Sequence, residues 1–405
     1  MRAARRPAAK FRLACIWEED AMPHMQPNHR LTRWIAATVC IGAVLGVALP
    51  DLARSQQASG TPYTLGVTYP LSGPFGAWGQ LLVPAIEIAA DHVNQAGGVN
   101  GHPLKLVVED SKGNPEGAIS AMRKVVQVDQ VPAILTIFTN VVSAQIPLTM
   151  QFKVPIISPV EAPGLVARSS WAFAHSPLLT STLPLLAEHW KNTKIKRLFA
   201  FFPNTPIAKF ASPTTKAEAE KLGITYEEAL FKLGDTDFRG LIARAKSFNP
   251  HAILIYGHGT PDEGVIMKQI RELGMNTPMF NACACVTVKS YRESAGKAAV
   301  GVVFSGFKYD RQAAKKLTDA YRAKLGFDPD YASLEVYDMV FMIAEAIKKY
   351  GYTGEGIRKG LAEVKDFRSI GGGLVGMDKD GQSVVPVALY RLTDVTKPDF
   401  VEIKP

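Results

Sequence analysis

Between residues 63 and 110 the apolar positions change period, and the changes read as strand, turn, helix and strand. Tyr63, Leu65, Val67 and Tyr69 alternate with Thr64, Gly66 and Thr68, a period of two that predicts a strand with one bulky and one small face. Apolar residues then recur at Leu82, Ile86, Ala89, Val93 and Ala96, the four-and-three spacing of a helical stripe. Pro84 is compatible with a helix that begins near Leu81, because first-turn N–H groups have no intrahelical partner. Gly97-Gly98 ends the helix and a second strand runs to Glu109-Asp110. The segment is one βαβ unit. Its turn, Leu71-Ser72-Gly73-Pro74, sits at the carboxyl end of the first strand, where open parallel sheets place ligands.

The alternation continues with a helix expected over 115–128, an unbroken apolar strand over 132–138 that suits a position covered on both faces, a helix after Asn140 and a strand over 154–158. It restarts after Pro177. Strands are expected at 196–202, 224–230, 251–256, 278–281 and 300–305, with helices at 206–222, 237–248 and 261–273 between them. Two βα series imply two lobes with a cleft between them. A helix over 310–325 and another over 333–350 follow, and Val336, Val340, Ile343 and Ile347 make the second too apolar to stand alone. After a helix near 355–364, Gly371-Gly372-Gly373 and Met377-Asp378-Lys379-Asp380-Gly381 are turn chemistry. A closing strand is expected over 384–390.

Composition adds a leader. His29, Arg30 and Arg33 precede an uncharged stretch from Trp34 to Pro50, and Ala53-Arg54-Ser55 supplies small residues at the positions a signal peptidase reads. Residues 1–55 are therefore expected to be a cleaved secretory signal, with Met22 or Met25 as alternative starts. That stretch is shorter than the ~20 residues of a usual spanning helix. Removing residues 1–55 takes away eight basic and four acidic residues, so the formal charge falls from +9 to +5. No polybasic stripe interleaved with aromatics remains, which argues against nucleic-acid binding. Four cysteines occur in the chain, and Cys15 and Cys40 leave with the leader. Val39 is not the small residue that lipidation of Cys40 would require. Cys283 and Cys285 form a lone C-x-C without a second pair or nearby histidines, which reads as two thiols rather than a metal site.

The LSGP turn, Trp78 a few residues on, the element Asn94 to Gly101 and the Glu109-Asp110 strand end resemble the start of a branched-chain amino-acid type solute-binding protein, a type I periplasmic receptor of an ATP-driven importer. Later echoes are Val154 to Pro159, Asp237 to Arg244, and Tyr256-Gly257 with Pro261 to Gly264. The resemblance implies an α/β fold of two doubly wound parallel-sheet lobes joined by a three-segment hinge. The first lobe would span 62–176 and 308–369, the second 177–307 and 370–398, with crossings near Pro177, Phe307 and Ile370. Multiple connections of this kind favour hinge closure around a ligand. Expected partners are a small-molecule solute and an inner-membrane permease with its ATPase subunits, the receptor itself being a periplasmic monomer without cofactor or metal.

Candidate contacts follow the strand ends. Thr139 and Asn140 stand where a helix begins, and free N–H groups there suit a carboxylate; helix capping is the plainer reading. Ser158, Val160 and Glu161 follow the next strand, with Glu161 standing where relatives place a hydroxyl. Glu161 pairs with a cation if it points inward and is one more solvated carboxylate if it does not. Trp78 matches a flanking aromatic, and Ser72 lies on the first turn. His258 and Cys283 follow strands of the second lobe. There the resemblance asks for an aromatic near Gly259 and a carboxylate near Cys283 to take an α-ammonium, and both are missing. Ile207 stands near a position that is often Tyr. An unpaired buried ammonium is costly, so these departures favour an aromatic or aliphatic carboxylate over plain leucine or isoleucine.

The sequence contains no H-E-x-x-H, G-x-S-x-G, P-loop or C-x-x-C motif, and Gly257-His258-Gly259 has Asp262 where a dinucleotide fingerprint wants glycine. Nothing in it proposes an enzyme. The alternative to transport is a ligand sensor on the same scaffold, working with a separate signalling partner.

Overall fold

The computed structural model describes residues 58–397 and 399–405; the expected leader lies outside them. The chain opens with β1 (Tyr63–Tyr69), α1 (Gly76–Gln95), β2 (Leu104–Asp110), α2 (Pro115–Gln127), β3 (Ile134–Thr136), α3 (Thr139–Phe152), β4 (Ile156–Ser158) and β5 (Ala172–Ala174). These five strands form one sheet in the order β2-β1-β3-β4-β5, every neighbour parallel. The alternation in β1 has a packing reason. A side chain at Gly66 would meet Val131, Ile134 and Val125 within about 3.0–3.2 Å, so the face toward α2 must stay small. Leu65, Val67 and Tyr69 on the other face are fully buried.

The second series is α4 (Leu179–Asn192), β6 (Arg197–Pro203), α5 (Ala208–Lys221), β7 (Thr225–Phe231), α6 (Arg239–Phe248), β8 (Ala252–Ile255), α7 (Pro261–Glu272), β9 (Met279–Asn281), α8 (Lys289–Ala295) and β10 (Val303–Phe307). It is followed by α9 (Lys315–Leu325), α10 (Tyr331–Tyr350), α11 (Gly354–Ala362), β11 (Phe367–Arg368), β12 (Leu374–Met377), β13 (Ser383–Val384), β14 (Val387–Asp394) and β15 (Asp399–Ile403). The second sheet has the order β15-β14-β10-β9-β8-β6-β7, parallel from β7 to β10 and closed by antiparallel β14 and β15. The remaining short strands make a three-stranded sheet, β11-β12-β13.

Helix α1 begins earlier than expected and takes Pro84 into its interior. The carbonyl that loses its N–H partner there belongs to exposed Gln80, where water can replace the bond. The Leu81 carbonyl next to it accepts from the Tyr321 hydroxyl at 2.9 Å. Helices α9 and α10 return to pack on α1. Val336, Val340, Ile343 and Ile347 are all buried, and each such side chain contributes about 1.5–3 kcal/mol of burial energy. His92 of α1 and Tyr337 of α10 add a hydrogen bond at 2.8 Å.

Passages between the sheets converge on α10. The Asp338 carboxylate accepts from the Ser369 hydroxyl and, at 2.8 Å, from the Ile370 N–H, and lies 3.4 Å from His175 Nε2. One turn earlier, Glu335 accepts from Ser176 Oγ at 2.8 Å. The small sheet leans on the first through a bridge between Ala174 and Gln382, so the chain joins the second sheet at Val387 and not near Ile370.

Candidate functional site

In the first sheet, strand order reverses between β1 and β3; in the second, between β6 and β8. Crevices at such points, beyond the carboxyl ends of the strands, are where doubly wound sheets bind ligands. Here the two crevices open onto one cavity of about 60 Å3. From the first series it is lined by Trp78 beyond β1, Ile137, Phe138 and Thr139 beyond β3, and Pro159, Val160 and Glu161 beyond β4. From the second come Ile207 beyond β6, Tyr256, Gly257 and His258 beyond β8, and Cys283 and Cys285 beyond β9; Tyr331 and Ala332 at the head of α10 complete the wall.

Six residues singled out in the sequence thus meet at one place: Trp78, Thr139, Val160, Glu161, His258 and Cys283. Ser72, Asn140 and Ser158 do not line it. Ser72 is exposed, and its hydroxyl is taken by Asp110, whose carboxylate also receives the Leu71 N–H at 2.8 Å and so holds the turn. Asn140 donates to the Gly113 carbonyl at 2.8 Å, fastening the loop after β2. Ser158 is fully buried, and its hydroxyl has no hydrogen-bond partner among the described residues.

An aromatic cluster forms the mouth. Trp78 meets Phe138 edge-on with ring centroids 6.2 Å apart, and Phe138 meets Phe75 at 4.7 Å and His258 at 6.0 Å. Phe138 stands at φ 73°, ψ 137°, immediately before α3. For a bulky residue this is a strained backbone, of the kind that persists where surrounding packing demands it and that clusters at ligand clamps. No side chain caps the N-terminus of α3, and its first residue, Thr139, lines the cavity. Gly259 has φ 71°, and a Cβ there would lie 2.8 Å from Val288 and 3.1 Å from Trp78. The aromatic expected near this position is replaced by the ring of Trp78 packing from the other side.

Glu161 points inward. Its Oε2 accepts from the Tyr256 hydroxyl at 2.9 Å, a bond between the two series, and its Oε1 has no hydrogen-bond partner among the described residues. Burial pushes its carboxyl up to about 8, against the lowering pull of the Tyr256 hydrogen bond. His258 pairs with Thr205 Oγ1 through Nε2 at 2.9 Å, and burial lowers it to about 4, leaving a neutral imidazole at pH 7. Behind it, fully buried Glu263 accepts from the His258 N–H at 2.8 Å and the Thr260 N–H at 3.1 Å, while burial raises it to about 8. Cys283 and Cys285 are not two thiols as expected: they are joined in a disulfide across one intervening residue, Ala284, which takes a left-handed backbone. Among the described residues no cluster of His, Cys, Asp and Glu is arranged to hold a metal ion. No helix there is long and apolar enough to cross a membrane.

Two doubly wound sheets that share one cavity at their switch points define a two-lobed solute receptor. The chain belongs to the periplasmic binding protein family, whose model matches residues 62–397. It is 25% identical over 361 residues to the Leu/Ile/Val-binding protein homolog 1 of Brucella abortus, covering 85% of this chain and 94% of that one. The branched-chain amino acid transporter substrate binding protein LivJ of Streptococcus pneumoniae, solved with isoleucine, superposes with a TM-score of 0.77 at 23% identity, over 85% of this chain and 100% of that one. A solute binding protein of an ABC transporter from Rhodopseudomonas palustris, solved with 3,4-dihydroxybenzoic acid, gives 0.76 at 21%, over 85% and 96%.

Proposed function

We propose that the protein is the periplasmic solute-binding component of an ABC importer, non-catalytic and monomeric, which captures a small carboxylate-containing solute between its lobes and presents it to a permease with its ATPase subunits. The observation that carries this reading is the single cavity to which both switch points contribute. The lobes would move about the segments near 177, 307 and 385. At about 60 Å3 the cavity is well below the roughly 150 Å3 that accommodates benzene in a protein core, so any branched or aromatic solute requires the walls to part. Closure then follows from differential binding, because only the closed form offers both walls at once. Thr139 and the uncapped head of α3 would take the carboxylate, with Trp78, Phe138 and Val160 around the apolar body. Solved structures of similar proteins hold isoleucine, 3,4-dihydroxybenzoic acid and 4-hydroxybenzoate, and each of these carries a carboxylate. A thermal-shift screen of the secreted domain against amino acids, aliphatic acids and aromatic acids tests the reading. A ligand at 100 times its Kd adds about 2.7 kcal/mol; a screen in which no carboxylate raises the Tm would overturn it.

A further inference from the structure

The second lobe lacks the carboxylate that the resemblance asks for near Cys283, yet the cavity does hold one, contributed from the opposite side. Resting on the receptor reading above, we propose that Glu161 is the specificity-determining residue of this cavity and selects solutes that carry an ammonium group as well as a carboxylate.

Three observations support it. Glu161 is the only ionisable carboxyl among the lining residues, no Lys or Arg stands among them, and one of its oxygens has no partner among the described residues. The other oxygen is held by Tyr256, which fixes the carboxyl in place and aims it across the gap between the lobes. The rest of the wall is aromatic, with Trp78, Phe138, Tyr256 and Tyr331, and π faces attract a desolvated cation.

None of the titratable groups named around Glu161 supplies a positive charge. Tyr256 comes from the end of β8, and Tyr331 from the head of α10, where Asp330 caps the helix and Glu335 is buried one turn on. Burial first, and then the nearby Glu161, hold Glu335 well above the usual carboxylate range, and its Oε2 has no partner among the described residues. His258 is neutral. Glu161 on the wall and Glu335, which does not line the cavity, are both costly to ionise in a low-dielectric setting unless a cation arrives. An ammonium group supplies that cation, and Glu161 then gives up its proton to solvent and forms the ion pair. A purely anionic guest gains no ion pair there, and meets only the proton of Glu161 and the head of helix α3.

The test uses matched pairs that differ only in the amine: L-leucine and 4-methylpentanoate, L-phenylalanine and 3-phenylpropanoate, 4-aminobutanoate and butanoate. Affinities are measured by calorimetry on the mature protein and on the variants Glu161→Gln and Glu161→Asp. For at least one pair the wild type is expected to bind the amine at least tenfold more tightly; Glu161→Gln should abolish that preference and Glu161→Asp should keep most of it. The ratio within a pair cancels general damage to the fold, and the aspartate variant serves if the glutamine variant does not fold. Deaminated acids binding as well as or better than their amines would overturn the inference and leave the carboxylate receptor standing, as would an amine preference that survives in Glu161→Gln or vanishes in Glu161→Asp. If no member of any pair binds, the carboxylate reading falls and takes this inference with it.

Discussion

Tyr256 and Glu161 are joined by a 2.9 Å hydrogen bond that runs from the end of β8 to the loop after β4, linking the two halves across the cavity. Replacing Tyr256 with Phe removes the donor but keeps the ring. The Glu161 oxygen is then left unpartnered in a desolvated site, at a cost of about 1–3 kcal/mol. Urea titration should register that loss, and small-angle scattering of the unliganded protein should shift toward a more open form. A variant as stable and as closed as the wild type would show the bond to be idle.

Gly259 offers a second handle on closure. In Gly259→Ala the new methyl group would meet Val288 and Trp78 on a backbone at φ 71°, so about 1–3 kcal/mol of stability should be lost to strain and overpacking. Because Trp78 must retreat, solute affinity should fall with it. Calorimetry and thermal melts of the one variant check both effects.

The buried acids predict the pH profile. Glu161 and Glu263 hold their protons up to about 8 when folded, against an ordinary 4.5, so the folded state binds more protons than the unfolded. Their contribution is fully present below pH 4.5 and is lost as pH rises through 8. His258 runs the other way. Lowered to about 4 from 6.5, it contributes stability above pH 6.5 that is lost as pH falls toward 4. From pH 6.5 to 8 only the acids act, and stability should decline. Glu263→Gln should flatten that slope by up to about 1.4 kcal/mol per pH unit, read from denaturation midpoints across the range.

The disulfide closes a ring across a single residue, so the chain entropy it removes is small, about 1–2 kcal/mol in the loop-closure account. Alkylation of the denatured, unreduced protein should label neither Cys283 nor Cys285. Reduction should lower the Tm by only a few degrees, while affinity changes more, because both cysteines line the cavity.

Period and turn chemistry made the sheets legible: β1, α1, β6, α7 and the apolar stripe of α10 all announce themselves along the chain. Helix α4, whose interior holds Pro184, and the edge strand β15, a short hairpin partner of β14, did not. The site was legible wherever a residue follows a strand, as Trp78, Glu161 and His258 do. Phe138, Tyr256 and Tyr331 were missed, although each is an aromatic at a strand or helix end. They come from segments more than 70 residues apart, and only the sheet order brings them together. Asn140 and Ser72 show the opposite failure: a polar side chain in a promising loop was consumed by holding that loop in shape.

Helix α10 roofs the first sheet and, through Glu335 and Asp338, also grips the strands by which the chain passes between halves. Its apolar seat and its grip on those strands are set within one rigid rod. Substitutions far from the solute, in the packing of Val340 or Ile343 against their neighbours, should therefore retune how readily the molecule opens, and selection for tighter or looser capture could act on that rod without touching a single residue of the binding wall.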